Sequence, residues 1–141
     1  MISHLDHLVI TTANESACVD FYVRIMGMDL ETFVGGSPPV ERKAFKFGNQ
    51  KINLHLKGRE FEPKANQPTP GALDLCFISS MPLEIVISKI KACGWPIIEG
   101  PVSRTGATGP ISSIYLRDPD GNLIEISEPI PNQSTAGPRI L

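Results

Sequence analysis

Several things are scarce in this sequence, and each scarcity removes a class of function. No apolar run approaches the ~20 residues that a membrane-spanning helix needs, and the start, MISHLDHLVITT, has neither the basic first segment nor the long apolar second segment of a secretion signal. A soluble, cytoplasmic protein without a membrane partner is expected. Aromatic residues make up only 6% of the chain, and 13 Lys+Arg stand against 15 Asp+Glu for a formal charge of −2, with no basic tract. Nucleic acid, which is held chiefly through phosphate neutralisation, is therefore not an expected partner. The three cysteines, Cys18, Cys76 and Cys93, are odd in number and show no CxxC spacing, so neither a zinc knuckle nor a dithiol redox centre is indicated. They are expected to be buried thiols packing as small hydrophobes.

What is present is a length and an apolar content, 141 residues at 41% hydrophobic, that suit one compact domain or two small halves. LDHLVITT, residues 5–12, is short and β-branched. The text then changes period: in NESACVDFYVRIMGMD, Asn14 is placed to cap, Cys18, Phe21, Tyr22 and Ile25 form one face, and Gly27 ends an amphipathic helix. LETFV (30–34), KAFKF (43–47) and KINLHL (51–56) read as strands, the last two joined by a GNQ turn. KGREFEPKANQPTPG, residues 57–71, carries Pro63, Pro68 and Pro70 and reads as a linker, since proline continues neither a helix nor a central strand.

The same order then restarts. ALDLCFIS (72–79) is a strand, and SMPLEIVISKIKACG is a helix with Leu83, Val86, Ile87 and Ile90 as its stripe and Gly94 as its stop. WPIIEG, ISSIYLR and NLIEIS follow as strands. The expected fold class is α+β, two tandem βαβββ modules forming a curved cleft. Module 1 covers 3–57, the linker 58–71 and module 2 72–128, so a single domain spans 1–128 and a tail spans 129–141.

Aligning the two copies sets His7 of the first strand against Asp74, and His55 of the fourth strand against Glu125. Because side chains alternate along a strand, Glu125 faces away from Ile124 and Ile126. A carboxylate turned into a sheet face is costly unless a cation or donors meet it. Two imidazoles and two carboxylates, His7, His55, Asp74 and Glu125, form a candidate site for one divalent ion of the N/O type: Zn, Ni, Mn, Co or Fe. By contrast, RDPDGN has the Pro119 and Gly121 of an ordinary turn, so Asp118 and Asp120 are expected to serve the turn and not a metal.

The paired βαβββ text, the opening LDHLVITT, the helix text FYVRIMGM and above all YLRDPDGNLIEI resemble the vicinal oxygen chelate superfamily. That group includes glyoxalase I, fosfomycin-resistance proteins, extradiol dioxygenases and methylmalonyl-CoA epimerase. The string EGPVSRTGATGPISSIYLRDPDGNLIEIS is most similar to its glyoxalase-domain-containing proteins of type five. The resemblance implies a metal at the mouth of the cleft. The family's first-strand His falls on His7 and its last-strand Glu on Glu125, and His55 is the third ligand. Asp74 departs from the usual His or Gln, and is either an oxygen ligand or a residue that orients a ligand.

It further implies a lyase or isomerase of glyoxalase type acting on a small-molecule substrate, with Glu125, or alternatively Asp74, moving a proton. An extradiol-type dioxygenase and a metal-free binding protein of the bleomycin-sequestering kind are the alternatives. A homodimer is implied as well. For substrate contacts, SRTGATGP reads as a glycine-rich loop that brings Arg104 and Thr105 over the cleft. Tyr115 shares a face with Ser113 and Arg117 and is a candidate donor or weak acid.

Overall fold

A computed structural model describes residues 1–131. The expected tail falls outside the described residues from position 132 onward. The chain divides into two compact units, Met1–Leu73 with Asp118–Asn122, and Asp74–Arg117 with the segment from Leu123. Each is a βαβββ module around one four-stranded sheet, which is the expected α+β class.

Unit 1 contains β1 (His7–Thr12), α1 (Glu15–Asp20), a π-helical turn (Phe21–Ile25), β2 (Asp29–Gly35), β3 (Val40–Phe47) and β4 (Gln50–Leu56). Its sheet order is β1-β4-β3-β2, with β1 parallel to β4 and the other pairs antiparallel. The Asn14 side chain caps α1 by accepting from the Ala17 backbone N–H at 3.1 Å. The helix then widens, with the Met26 N–H bonded to the Phe21 carbonyl at 2.9 Å, and both Phe21 and Tyr22 become fully buried. Tyr22 stacks on Phe45 with ring centroids 5.0 Å apart. Alternation turns Ile10, Ile52, Leu54 and Phe45 to this same side, and all are buried. At about 1.5–3 kcal/mol for each large side chain, these contacts dominate the stability of the unit.

Unit 2 contains β5 (Asp74–Ile78), α2 (Leu83–Ala92), β6 (Glu99–Gly106), β7 (Gly109–Arg117) and β8 (Leu123–Pro129), in sheet order β5-β8-β7-β6. Leu83 and Ile90 of α2 are buried, as are Ile114, Leu116, Ile124 and Ile126 of the sheet. These four pair across β7 and β8 as Ile114 with Ile126 and Leu116 with Ile124. They therefore share one face and leave Ser113, Tyr115, Glu125 and Ser127 on the other.

The third strand of this unit differs from expectation. WPII is not a strand; β6 begins at Glu99 and continues through Gly106. SRTGATGP is consequently not a loop over a cleft but the end of one hairpin arm, its turn and the start of the next, closed at the pair Gly106 and Gly109. Two glycines concealed the strand, because both read as loop text although they flank a tight turn. The register of β6 slips between Glu99 and Val102. Gly100, at φ 106°, is required at that bulge, since a Cβ there would collide with the Ser113 carbonyl oxygen and lie 2.9 Å from the Ile114 Cα.

Candidate functional site

In unit 1 the face opposite the helix carries His7, Val9 and Thr11 from β1. The ladder pairs them with Lys51, Asn53 and His55 of β4, in that order. His7 and His55 are thus four positions apart along the strands, roughly 13 Å at ~3.3 Å per residue. Two imidazoles standing off a sheet do not span that separation through one ion, whose bonds to nitrogen are about 2.0–2.1 Å. Both histidines are expected to hold one metal, and the register places them on one face four positions apart, not side by side. It also changes the internal alignment: Ile52 lies beside Leu8 and Ile124 beside Leu75, so Glu125 corresponds to Asn53 and not to His55.

The two imidazoles have different surroundings. His7 is exposed, with Nδ1 2.8 Å from the Asp6 carboxylate. His55 is 7% exposed, meets the edge of Phe61 at 5.5 Å, and has no hydrogen-bond partner among the described residues. Burial holds its pKa below the ordinary 6.5; the Arg42 guanidinium adds to this, and Glu60 opposes it. Sequence reasoning missed Arg42, Asn53 and Phe61. Arg42 lies over the Phe61 ring at 4.1 Å, and both its Nε and the Asn53 Oδ1 are buried without a partner. The alternation in ERKAFKF could have shown Arg42, since it faces opposite to Phe45 and Phe47.

The residues read as a linker belong to unit 1. The Lys57 N–H bonds the Thr12 carbonyl at 2.9 Å and the Arg59 N–H bonds Leu56 at 2.9 Å, so the chain turns at the end of β4. Positions 63–73 then wall a cavity of about 350 Å³ whose floor is Val9, Thr11 and His55. A larger depression of about 480 Å³ lies along α1. Its charges satisfy each other, Lys43 with Glu15 at 3.0 Å and Arg24 with Asp20 at 2.9 Å, and it presents no unused group.

The turn DPDGN also folds with unit 1. Asp118 is 3% exposed and accepts from the Tyr22 hydroxyl and the Asn122 side-chain amide, each at 2.7 Å. It also accepts from the backbone N–H groups of Asp120 and Asn122, each at 2.9 Å. Asp120 takes Thr12 Oγ1 at 2.6 Å and the Ala13 N–H at 2.9 Å. These two carboxylates are occupied by the fold, in keeping with the turn reading. Burial first, and then the Asp118 charge, push the Tyr22 phenol far above its ordinary pKa.

In unit 2, Glu125 is directly opposite Tyr115 on β7 and beside Cys76 on β5. Asp74 is two positions from Cys76 and so shares this face. Glu125 is half-buried and accepts Ser127 Oγ at a long 3.4 Å. Ser127 is in turn 2.7 Å from Ser113 Oγ and 3.4 Å from Cys76 Sγ. Cys76 is exposed and not buried as expected, because it lies on this open face; burial raises its pKa, as does the neighbouring Glu125. Cys18 does match the expectation, with burial pushing its thiol up to about 12.

Arg104 and Tyr115 also meet here. The Arg104 Nε donates to the Tyr115 hydroxyl at 2.9 Å, and a second guanidinium nitrogen is 3.2 Å from Glu99. Five positions separate Glu99 from Arg104, an odd number that would put them on opposite faces of a regular strand. The bulge between Glu99 and Val102 restores them to the same face. Thr105, next along β6 and paired with Pro110, points to the other face, so it does not act with Arg104.

Among the described residues, no three or more His, Cys, Asp or Glu side chains gather as a metal-binding group. The donor chemistry that suits an ion is found in unit 2, where Asp74 is exposed and Glu125 has only long contacts. In unit 1 it is limited to His7, since His55 is set apart by register.

The Glyoxalase/Bleomycin resistance protein/Dioxygenase superfamily matches residues 4–126. The chain is 55% identical to the virulence protein STM3117 of Salmonella typhimurium over 128 residues, 91% of this chain and 85% of that protein. The crystal structure of that protein superimposes with a TM-score of 0.86, covering 92% of this chain and 99% of the other. The glyoxalase domain-containing protein RDO1 of Mycosarcoma maydis is 52% identical over 126 residues, 89% of this chain and 68% of that one. TnmS3, an antibiotic binding protein from Streptomyces sp. CB03234, shares the fold at a TM-score of 0.70 and 21% identity, covering 92% and 98% of the two chains. With its two βαβββ units and a match running through nearly all of both, the chain belongs to the glyoxalase/bleomycin resistance protein/dioxygenase superfamily.

Proposed function

We propose that this chain is a divalent-metal-dependent enzyme of glyoxalase or lyase type acting on a small molecule. The observation that carries the reading is Glu125, a half-buried carboxylate on the open face of unit 2 that is held only by long contacts. A carboxylate kept this free of strong donors retains its lone pairs for a cation or a substrate proton. The residues put forward to hold the ion are Glu125 and Asp74, which share the open face of unit 2. When bound, such an ion polarises adjacent oxygens of a substrate.

The chain's own groups supply the rest. Glu125 takes and returns a proton at its carboxylate. Tyr115, directly across the ladder, accepts from Arg104 and so has its own O–H free to donate to a substrate oxygen. Homodimerisation and cytoplasmic residence belong to the same proposal. What is established of location is that no helix among the described residues is long and apolar enough to cross a membrane.

The test combines metal analysis with turnover of the methylglyoxal–glutathione hemithioacetal by protein loaded in turn with Zn, Ni, Mn, Co and Fe(II). Glu125→Gln is expected to lower turnover by about 100-fold or more with the fold intact. Absence of turnover with every ion removes the glyoxalase version. An extradiol-type dioxygenase is less favoured, because it needs two imidazoles near one carboxylate and the ladder sets His7 and His55 apart. A binding protein without catalysis is the second reading, favoured by the cavity in unit 1.

A further inference from the structure

The cavity in unit 1 has its own chemistry, separate from the carboxylates of unit 2. Its floor is made by Val9, Thr11 and His55, with Thr11 and His55 paired across β1 and β4. His55 is 7% exposed, lines the cavity, and has no hydrogen-bond partner among the described residues. Its ring N–H therefore has no acceptor in the protein, and a ligand oxygen in the cavity would supply one.

The charge around that imidazole is positive. Arg42 lies at 4.1 Å over the ring of Phe61, the same ring His55 meets edge-on, and Arg42 makes no ion pair among the described residues. Lys64 lines the cavity but is paired with Glu62 at 2.8 Å, so Arg42 is the cation near His55 without an ion pair among the described residues. Glu60, the acid whose charge reaches His55, turns back into its own loop and accepts from the Gly58 N–H at 3.1 Å. The remaining lining is largely apolar, with Val9, Pro63, Ala65, Pro68 and Leu73. At about 350 Å³ the space falls at the lower end of ligand pockets, which run from roughly 300 to 1,000 Å³.

We propose that this cavity binds a small monocarboxylic acid with an apolar body about the size of one aromatic ring, its carboxylate accepting a hydrogen bond from His55. The site needs no metal, so its test is independent of the enzymatic reading. Titration calorimetry on the full chain after EDTA treatment uses benzoate and the neutral, similarly shaped benzyl alcohol as probes. Benzoate is expected to bind with one-to-one stoichiometry, at least about tenfold tighter than benzyl alcohol. His55→Leu is expected to weaken benzoate by about tenfold or more, while His55→Gln, which keeps a donor, loses less.

Should His55→Leu fail to fold, Arg42→Gln carries the test: it is expected to weaken benzoate and leave benzyl alcohol unchanged. Amide chemical-shift changes on adding benzoate are expected at Thr11, His55 and positions 63–73. No benzoate binding at about 10 mM, equal affinity for the two probes, or shifts centred on Tyr115 and Glu125 would each overturn the proposal.

Discussion

Removing the Asp118 carboxylate should be among the most damaging single changes available outside the apolar core. Four donors converge on it, from Tyr22, Asn122 twice and Asp120, at 2.7 to 2.9 Å. Asp118 is 3% exposed, and Tyr22 and Asn122 are fully buried, so water does not replace the lost acceptor. In Asp118→Ala the Tyr22 hydroxyl and the Asn122 amide each stay unsatisfied at about 1–3 kcal/mol, and the turn loses its two backbone bonds.

The expected total is about 3–5 kcal/mol, a large share of the ~5–15 kcal/mol that holds a domain together. Urea unfolding followed by far-ultraviolet circular dichroism measures it. With a urea dependence of ~1–3 kcal/mol per M, the midpoint should fall by about 2 M. Asp120→Ala is the control: Asp120 is only part-buried, the exposed Ala13 N–H can turn to water, the Thr12 hydroxyl keeps the Asn14 carbonyl at 3.1 Å, and the expected loss is about 1 kcal/mol. Tyr22→Phe should cost about 1–2 kcal/mol alone and almost nothing in the Asp118→Ala background. A loss below about 1 kcal/mol for Asp118→Ala, or full additivity of the two substitutions, would refute the assignment of these bonds as a buried clamp.

Three further outcomes follow from other parts of the molecule. Gly100→Ala should destabilise unit 2 by at least about 2 kcal/mol in the same assay, because the added methyl runs into the Ser113 carbonyl at a positive φ. His55 has a pKa below 6.5 in the folded chain, so the unfolded chain binds the extra proton first as the pH falls. Its contribution to stability is therefore full above about 6.5 and declines below it until the folded-state pKa is reached, and His55→Gln should flatten that part of the stability–pH curve. Iodoacetamide labelling with mass spectrometry should modify the exposed Cys76 in the native protein, while Cys18 reacts only after denaturation; labelling of native Cys18 would contradict its burial.

The βαβββ repeat was legible because each helix and most strands carry a clean period. Phe21, Tyr22 and Cys18 mark one helix, and Leu83 and Ile90 the other. Glu125 could be singled out because a lone carboxylate breaks an apolar alternation, a signal needing no partner to be seen. Pairing it with His55 failed for a physical reason. The two hairpins have different lengths, with Phe47 meeting Gln50 across a tight turn and Arg117 meeting Leu123 across the longer DPDGN turn. Counting from the turns therefore misplaces the register, which only the parallel partner strand fixes. Arg104 was recognised as a functional candidate but assigned to a loop, since a bulge and two glycines hid the strand. Arg42 and Phe61 come together from a strand and an irregular segment whose fold no local period encodes.

The two units, read by register, separate what the repeat keeps from what it varies. On the helix-facing side the counterparts are alike: Leu8 and Leu75, Ile52 and Ile124, Leu54 and Ile126. These positions answer to the same constraint, filling a close-packed interior against one helix, which volume-conserving apolar residues satisfy equally well. On the open side the counterparts differ in chemistry: His7 and Asp74, Val9 and Cys76, Asn53 and Glu125, His55 and Ser127. Apart from the buried His55 and Ser127, packing imposes less there, so chemistry can differ between the units while the scaffold stays the same. Unit 2 presents a weakly held carboxylate beside a phenol that a guanidinium contacts, the groups proposed for proton transfer. Unit 1 presents an unpartnered imidazole near the Arg42 guanidinium at the floor of a largely apolar cavity, the groups proposed for anion capture. Exchanging His7 with Asp74 and Asn53 with Glu125, and leaving the buried His55 and Ser127 in place, would therefore be expected to move the carboxylates with the side chains while leaving both sheets folded, since none of the exchanged positions belongs to the helix-facing core.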